Sequence, residues 1–130
     1  MMLTKKEAKR VLDRHFDLSL RLDSAFREKR FDEMVRLCRE QIALSVKAAE
    51  AFREEDREIG CADAPLPSHM GFRRLCVFLE KQGEYQEVIA LCERAMREGW
   101  AGDETRRIER CEKKLATANE TQNEAHESGG

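Results

Sequence analysis

From Thr4 to Ile59 the chain holds neither glycine nor proline, while its apolar residues return every three or four positions. Glycine and proline are the commonest means of stopping a helix or turning a strand, so so long a stretch without them points to helix. Thr4 followed by Glu7 forms a capping box, in which each side chain takes up a backbone N–H left free in the first turn. Val11, His15, Leu18, Leu22, Ala25 and Phe26 then share one stripe, which predicts a first helix from about Lys5 to Glu28. The apolar phase restarts at Phe31, so Lys29 and Arg30 read as a tight turn. Met34, Val35, Cys38, Ile42, Val46, Ala49 and Phe52 mark a second helix from near Asp32 to the glycine at position 60. At ~1.5 Å per residue each helix would be roughly 35 to 40 Å long. Two long helices joined by a short turn lie antiparallel, so residues 4–59 are expected to form a single long hairpin.

The composition changes at GCADAPLP, residues 60–67, where a glycine and two prolines forbid further helix. Ser68 is suited to cap a third helix, which reads through Phe72, Leu75, Cys76 and Leu79 to Gln82. Gly83 then fits the left-handed residue that ends it. The fourth helix carries Tyr85, Val88, Ile89, Cys92, Ala95 and Met96 and stops at Gly99. Asp103 is placed to cap a fifth from about Glu104 to Ala116, with Ile108, Cys111 and Leu115 inward. One helical domain over 1–117 is expected, made of the hairpin 4–59, the proline loop 60–67, a helical unit 68–99 and a closing helix 103–117. The tail 118–130 has almost nothing apolar to bury and is expected to be disordered.

Several function classes recede on composition. With 38% charged but only 6% aromatic residues, the chain suits amphipathic helices better than a β-sandwich or a catalytic sheet. A net charge of -2 from 24 basic and 26 acidic residues gives no overall attraction for a polyanion. The first residues alternate charge with apolar groups and resemble no secretory signal. No apolar run approaches the ~18 residues needed to cross a bilayer, so no membrane partner is expected. Five scattered cysteines, an odd number, suggest a reduced, cytoplasmic setting and no disulfide framework.

Chemistry-bearing motifs are sparse. Cys61 and His69 lie eight apart across the proline loop, with no CxxC and no histidine pair one helical turn apart. Zinc needs three or four convergent ligands, so neither a metal nor another cofactor is expected. Cys38, Cys76, Cys92 and Cys111 fall on apolar stripes and read as small buried hydrophobes. No nucleophile elbow, HExxH, phosphate loop or dinucleotide fingerprint occurs, and the chain is not expected to be an enzyme. Arg73-Arg74, Arg106-Arg107 and Arg110 are small basic clusters without interleaved aromatics, which read as solvated faces rather than a nucleic-acid site.

KQGEYQEVIALCERAM, residues 81–96, carries the one family likeness. A helix ends on Gly83, an aromatic follows at Tyr85, and a second helix returns with small Ala95 placed for close packing. This resembles the tetratricopeptide repeat, a helical pair of about 34 residues with large, small and aromatic positions at fixed offsets. Phe72 stands at the family's tryptophan, Leu75 at its leucine, Cys76 at its small position, Leu79 at its first tyrosine and Val88 at its first alanine. Cys92 stands at the phenylalanine and Ala95 at the second alanine, whereas Trp100 replaces the proline. A looser copy lies upstream. FREKRFDEMVRLCREQI, residues 26–42, aligns over the turn without a gap, matching Phe31 to Tyr85 and Leu37-Cys38 to Leu91-Cys92, 54 residues apart.

The resemblance implies an all-α, tetratricopeptide-like (TPR-like) right-handed stack of five helices with a long first hairpin, closed by a polar-faced cap. It also implies a protein–protein interaction module whose groove receives a peptide or a partner helix. Met70, Arg73, Arg74, Val77 and Lys81 of the third helix would face that groove. Arg73 fits the family's carboxylate-binding members, but Val77 stands where those carry an asparagine. The alternative is a structural homo-oligomer, such as a homodimer, built on the first hairpin. Its basis is Leu3, Leu12, Phe16 and Leu20, which lie off the main stripe of the first helix.

Overall fold

The computed structural model describes residues 3–61 and 63–128, with side chains as far as residue 120. Among the described residues the chain is all-helical and carries no strand. It has six helices: α1 (Lys5–Arg27), α2 (Phe31–Ala43), α3 (Ser45–Glu58), α4 (Met70–Lys81), α5 (Tyr85–Glu98) and α6 (Glu104–Ser128). The first helix starts where the sequence predicts. Glu7 N–H donates to Thr4 Oγ1 at 3.1 Å and Thr4 N–H to Glu7 Oε2 at 3.3 Å, completing the capping box. At α4 the cap is His69 rather than Ser68: its Nδ1 accepts from the Phe72 N–H at 3.1 Å.

The expected count of five is corrected to six because the second long helix breaks at Leu44. There the backbone N–H reaches back only three residues, to Gln41 O, and Arg94 of α5 donates to the Ile42 carbonyl and to Ser45 Oγ. A side chain that enters the hydrogen-bond ladder is a recognised cause of helix kinks. The break lets one half, α2, pack on both α1 and α4 while the other half, α3, follows the N-terminal part of α1. Val46, expected inward, lies just past the break and is 52% exposed. Small Ala48, Ala49 and Ala51 are buried instead, allowing α3 close to α1. Leu12, expected to lie uncovered, is buried there with Ala8 and Ala51.

The two inter-helix turns that resemble each other in sequence also match in geometry. Lys29 and Gly83, 54 residues apart, both adopt left-handed backbone, with φ of 59° and 79°. Arg30 N–H bonds to Ala25 O at 2.8 Å, and its counterpart Glu84 N–H to Leu79 O at 2.9 Å. Lys29 N–H bonds to Phe26 O and Gly83 N–H to Glu80 O, each at 3.1 Å. These are the paired bonds of a Schellman-type stop, which satisfies carbonyls that a helix end leaves free.

The main core is continuous through all six helices, and includes Cys38, Cys76, Cys92 and Cys111 as free, buried thiols. The proline loop contributes Leu66 to it, and Ala101 N–H pins that loop by donating to Pro67 O at 3.2 Å. Trp100 is also core, 4% exposed. Gly71 allows α4 to press on α2, since a Cβ there would stand 3.1 Å from Cys38 O and 2.8 Å from Gln41 Oε1. The last helix runs past its expected end near Ala116, through a continuation to Ser128 that has no glycine or proline to stop it. Residues 116–120 are exposed and touch no core. The rest of the tail expected to be disordered has side chains outside the described residues, and Gly129 and Gly130 lie outside them altogether.

Candidate functional site

The helix α4 owes its position to one buried polar residue. Gln41, fully buried on α2, donates from Nε2 to the His15 carbonyl at 2.9 Å and to Ser19 Oγ at 2.6 Å on α1. Its Oε1 accepts from the Gly71 N–H at 2.7 Å. One amide thus satisfies groups on two other helices, and buried polar networks of this kind hold only one arrangement well. At its far end α4 is fastened to α6. Glu80, with a side chain only 11% exposed, pairs with Arg110, with Arg107 at 3.5 Å and with Lys114 at 3.7 Å. The hydrogen bond from Arg110 holds its carboxyl below the usual range despite burial.

With both ends fixed, α4 separates two open cavities. One, of about 500 Å³, lies between the α1–α2 turn and the second half of α4. Phe26, Phe31, Met34, Val77 and Phe78 form its apolar part, and Arg27, Lys29, Arg74 and Lys81 its charged part. The Phe31 and Phe78 rings stack at 6.1 Å between centroids. The Arg74 guanidinium sits 3.9 Å above the Phe26 ring, a cation–π contact worth about 1 kcal/mol. Its buried Nε has no hydrogen-bond partner among the described residues. The other cavity, of about 380 Å³, lies between the first half of α4 and the start of α6, where Arg73 and Arg107 meet Asp103 and Glu104. A third, of about 370 Å³, runs along α1 and α3.

The five residues expected to face a groove are therefore divided. Arg74, Val77 and Lys81 come together in the larger groove, and Arg73 lines the second, with Val77 shared by both. Met70 lines neither, being half-buried against the core. The phenylalanine floor and Lys29 escaped sequence reasoning. The sequence places Phe26 on a core stripe and Phe31 at the restart of the apolar phase, and only the approach of α4 makes them one surface.

Behind α4 is a buried aromatic cluster. His15 and His69, 3% and 2% exposed, lie 5.3 Å apart between ring centroids. Phe16, Phe52, Phe72 and Trp100 surround them. His15 Nδ1 and His69 Nε2 have no partner among the described residues. Because His69 Nδ1 accepts a hydrogen bond, its proton belongs on Nε2. Burial lowers both imidazoles, His69 to about 3 with His15 contributing. Two buried thiols, Cys38 and Cys76, are likewise held neutral. Burial pushes Cys38 up to about 11, and a hydrogen bond to Cys92 followed by burial pushes Cys76 up. Among the described residues no three metal-ligating side chains converge, and no helix is long and apolar enough to cross a membrane.

No protein-family model, curated protein or solved structure matches the chain.

Proposed function

We propose that this chain is a protein–protein interaction module, built as a TPR-like stack in which α1–α2 and α4–α5 are the repeated units and α6 the cap. Support for the repeat comes from the two turns, which share a left-handed residue and the same backbone hydrogen bonds at positions 54 apart. One observation carries the function: a 500 Å³ groove whose apolar floor includes Phe31, 40% exposed, and whose edge is cationic. Concave surfaces that join apolar floors to a few polar groups are the usual form of recognition sites.

The test is capture from lysate with the wild-type chain and with Phe31→Ser/Val77→Glu, after circular dichroism has shown equal helicity. The reading expects partners bound by the wild type and lost by the variant. An identical set of captured proteins would remove the groove as the site.

A second reading, the homo-oligomer, rests on Phe16 and Leu20 of α1. They lie one turn apart and are 51% and 73% exposed. Light scattering after size exclusion at micromolar concentration decides it. A dimer that Phe16→Glu/Leu20→Glu dissolves supports this reading, and a strict monomer removes it.

A further inference from the structure

The three cavities differ in charge, and that difference selects a partner. In a chain of 26 acidic and 24 basic residues, most stretches of wall carry both signs. The cavity at the start of α6 sets two arginines against Asp103 and Glu104. Along α1 and α3, Lys5 and Lys9 meet four carboxylates. The groove beside the α1–α2 turn has four cations and no carboxylate.

We infer that this groove receives an acidic peptide segment of a partner protein, with a large apolar side chain seated against Phe31, Val77 and Phe78. Flanking carboxylates pair with Lys29 and Lys81. The inference rests on the interaction reading above and narrows it to one partner chemistry.

Two of the four cations, Arg27 and Lys81, occupy last turns of helices, where the helix dipole itself favours positive charge. Lys29 and Arg74 have no such reason, one lying in a turn and the other in mid-helix. Asp23 holds Arg27 at 3.0 Å. Among the described residues no ion pair engages Lys29, Arg74 or Lys81, so these three charges are available to an incoming carboxylate. Phe31 stands outside the core cluster, leaving apolar surface that folding does not cover. A groove of about 500 Å³ accommodates one large side chain and its neighbours. Single-stranded nucleic acid is the competing occupant of a cationic, aromatic groove, but it needs free ring faces on which bases stack. Here Arg74 covers Phe26, and Phe31 and Phe78 stack on each other.

The experiment displays random twelve-residue peptides on phage against the full chain and counter-screens them on Lys29→Glu/Lys81→Glu. Both lysines are exposed, and thermal melts check that the variant folds. The peptide that enriches most is then synthesised with a fluorescein label and titrated by anisotropy, beside a labelled twelve-residue oligouridylate. Enriched sequences should place Asp or Glu on both sides of a Leu, Phe or Trp. Affinity should fall about tenfold or more in the double variant and survive in Lys29→Arg/Lys81→Arg. Neutral or basic peptides, or acidic ones indifferent to the double variant, would overturn this inference and leave the interaction reading intact. No enrichment at all would overturn both. Oligouridylate binding more tightly than any peptide would make the groove a nucleic-acid site and overturn the inference directly.

Discussion

Mild acid should weaken this fold through His15 and His69, and the size of the effect follows from their burial. Folded His69 titrates near 3, whereas an unfolded histidine titrates at its ordinary value of 6.5. Between those values the unfolded chain binds a proton that the folded chain refuses, so stability falls as pH drops through 6.5 and stops falling only near 3. At pH 5.5 the unfolded His69 is protonated about ten to one, which costs the fold about 1 kcal/mol relative to pH 7.5. Because 5.5 lies far above 3, this cost depends on the unfolded value and hardly on how far burial depresses the folded one. His15 is lowered by the same cause and adds a loss of the same sign. Ordinary carboxylates titrate more than a unit below this window, so the drop belongs mainly to histidine. Urea denaturation at the two pH values measures it, followed by helical ellipticity and by Trp100, which stacks near both imidazoles. In His69→Asn the amide oxygen can take the place of Nδ1 and keep the bond to the Phe72 N–H. Combined with His15→Leu it should abolish most of the pH 7.5 to 5.5 loss. A double variant that loses as much stability as the wild type over this window would refute the reasoning.

Gln41→Leu should cost about 2 kcal/mol, because it strands the buried Gly71 N–H, which the first turn of α4 leaves without a helical acceptor; a chemical melt within 1 kcal/mol of the wild type would show that the network is dispensable. Gly83→Ala should destabilise by about 1 kcal/mol, and since an added Cβ meets nothing within 4 Å the whole cost is backbone. Lys29→Gly, at the matching left-handed position, should raise the melting temperature, and unchanged midpoints in both variants would contradict the assignment of these turns. Thiol labelling of the native protein should be fast only at Cys61, the one exposed cysteine, and chelators should leave the melting temperature where it was. Rapid modification of Cys38 or Cys76, or a chelator-induced shift, would count against a purely structural role.

What the sequence alone determined was local. The capping box at Thr4, the glycine stops at 83 and 99, the punctuation at residues 60–67 and the apolar stripes each depend on residues a few positions apart. Their physics is complete within one or two turns of helix. The likeness between residues 26–42 and the later turn was legible for the same reason, and the two turns do share one hydrogen-bond pattern.

Everything that depended on a distant partner was decided by the tertiary structure. The break at Leu44 has no glycine or proline to announce it, because the group that receives the freed carbonyl, Arg94, comes from another helix 50 residues on. Gln41 reads as one more polar residue until α1 and α4 bring it groups to satisfy. His69 reads as the first residue of a helix capped by Ser68, yet it is itself the cap, inside an aromatic cluster that Trp100 and His15 close. The candidate groove follows the same rule. Arg74, Val77 and Lys81 were readable as one face of a helix, but their charge acquires meaning only beside Phe26, Lys29 and Phe31. A helix face is set by periodicity, whereas a groove is set by which two faces the packing of Gln41 and Gly71 brings together.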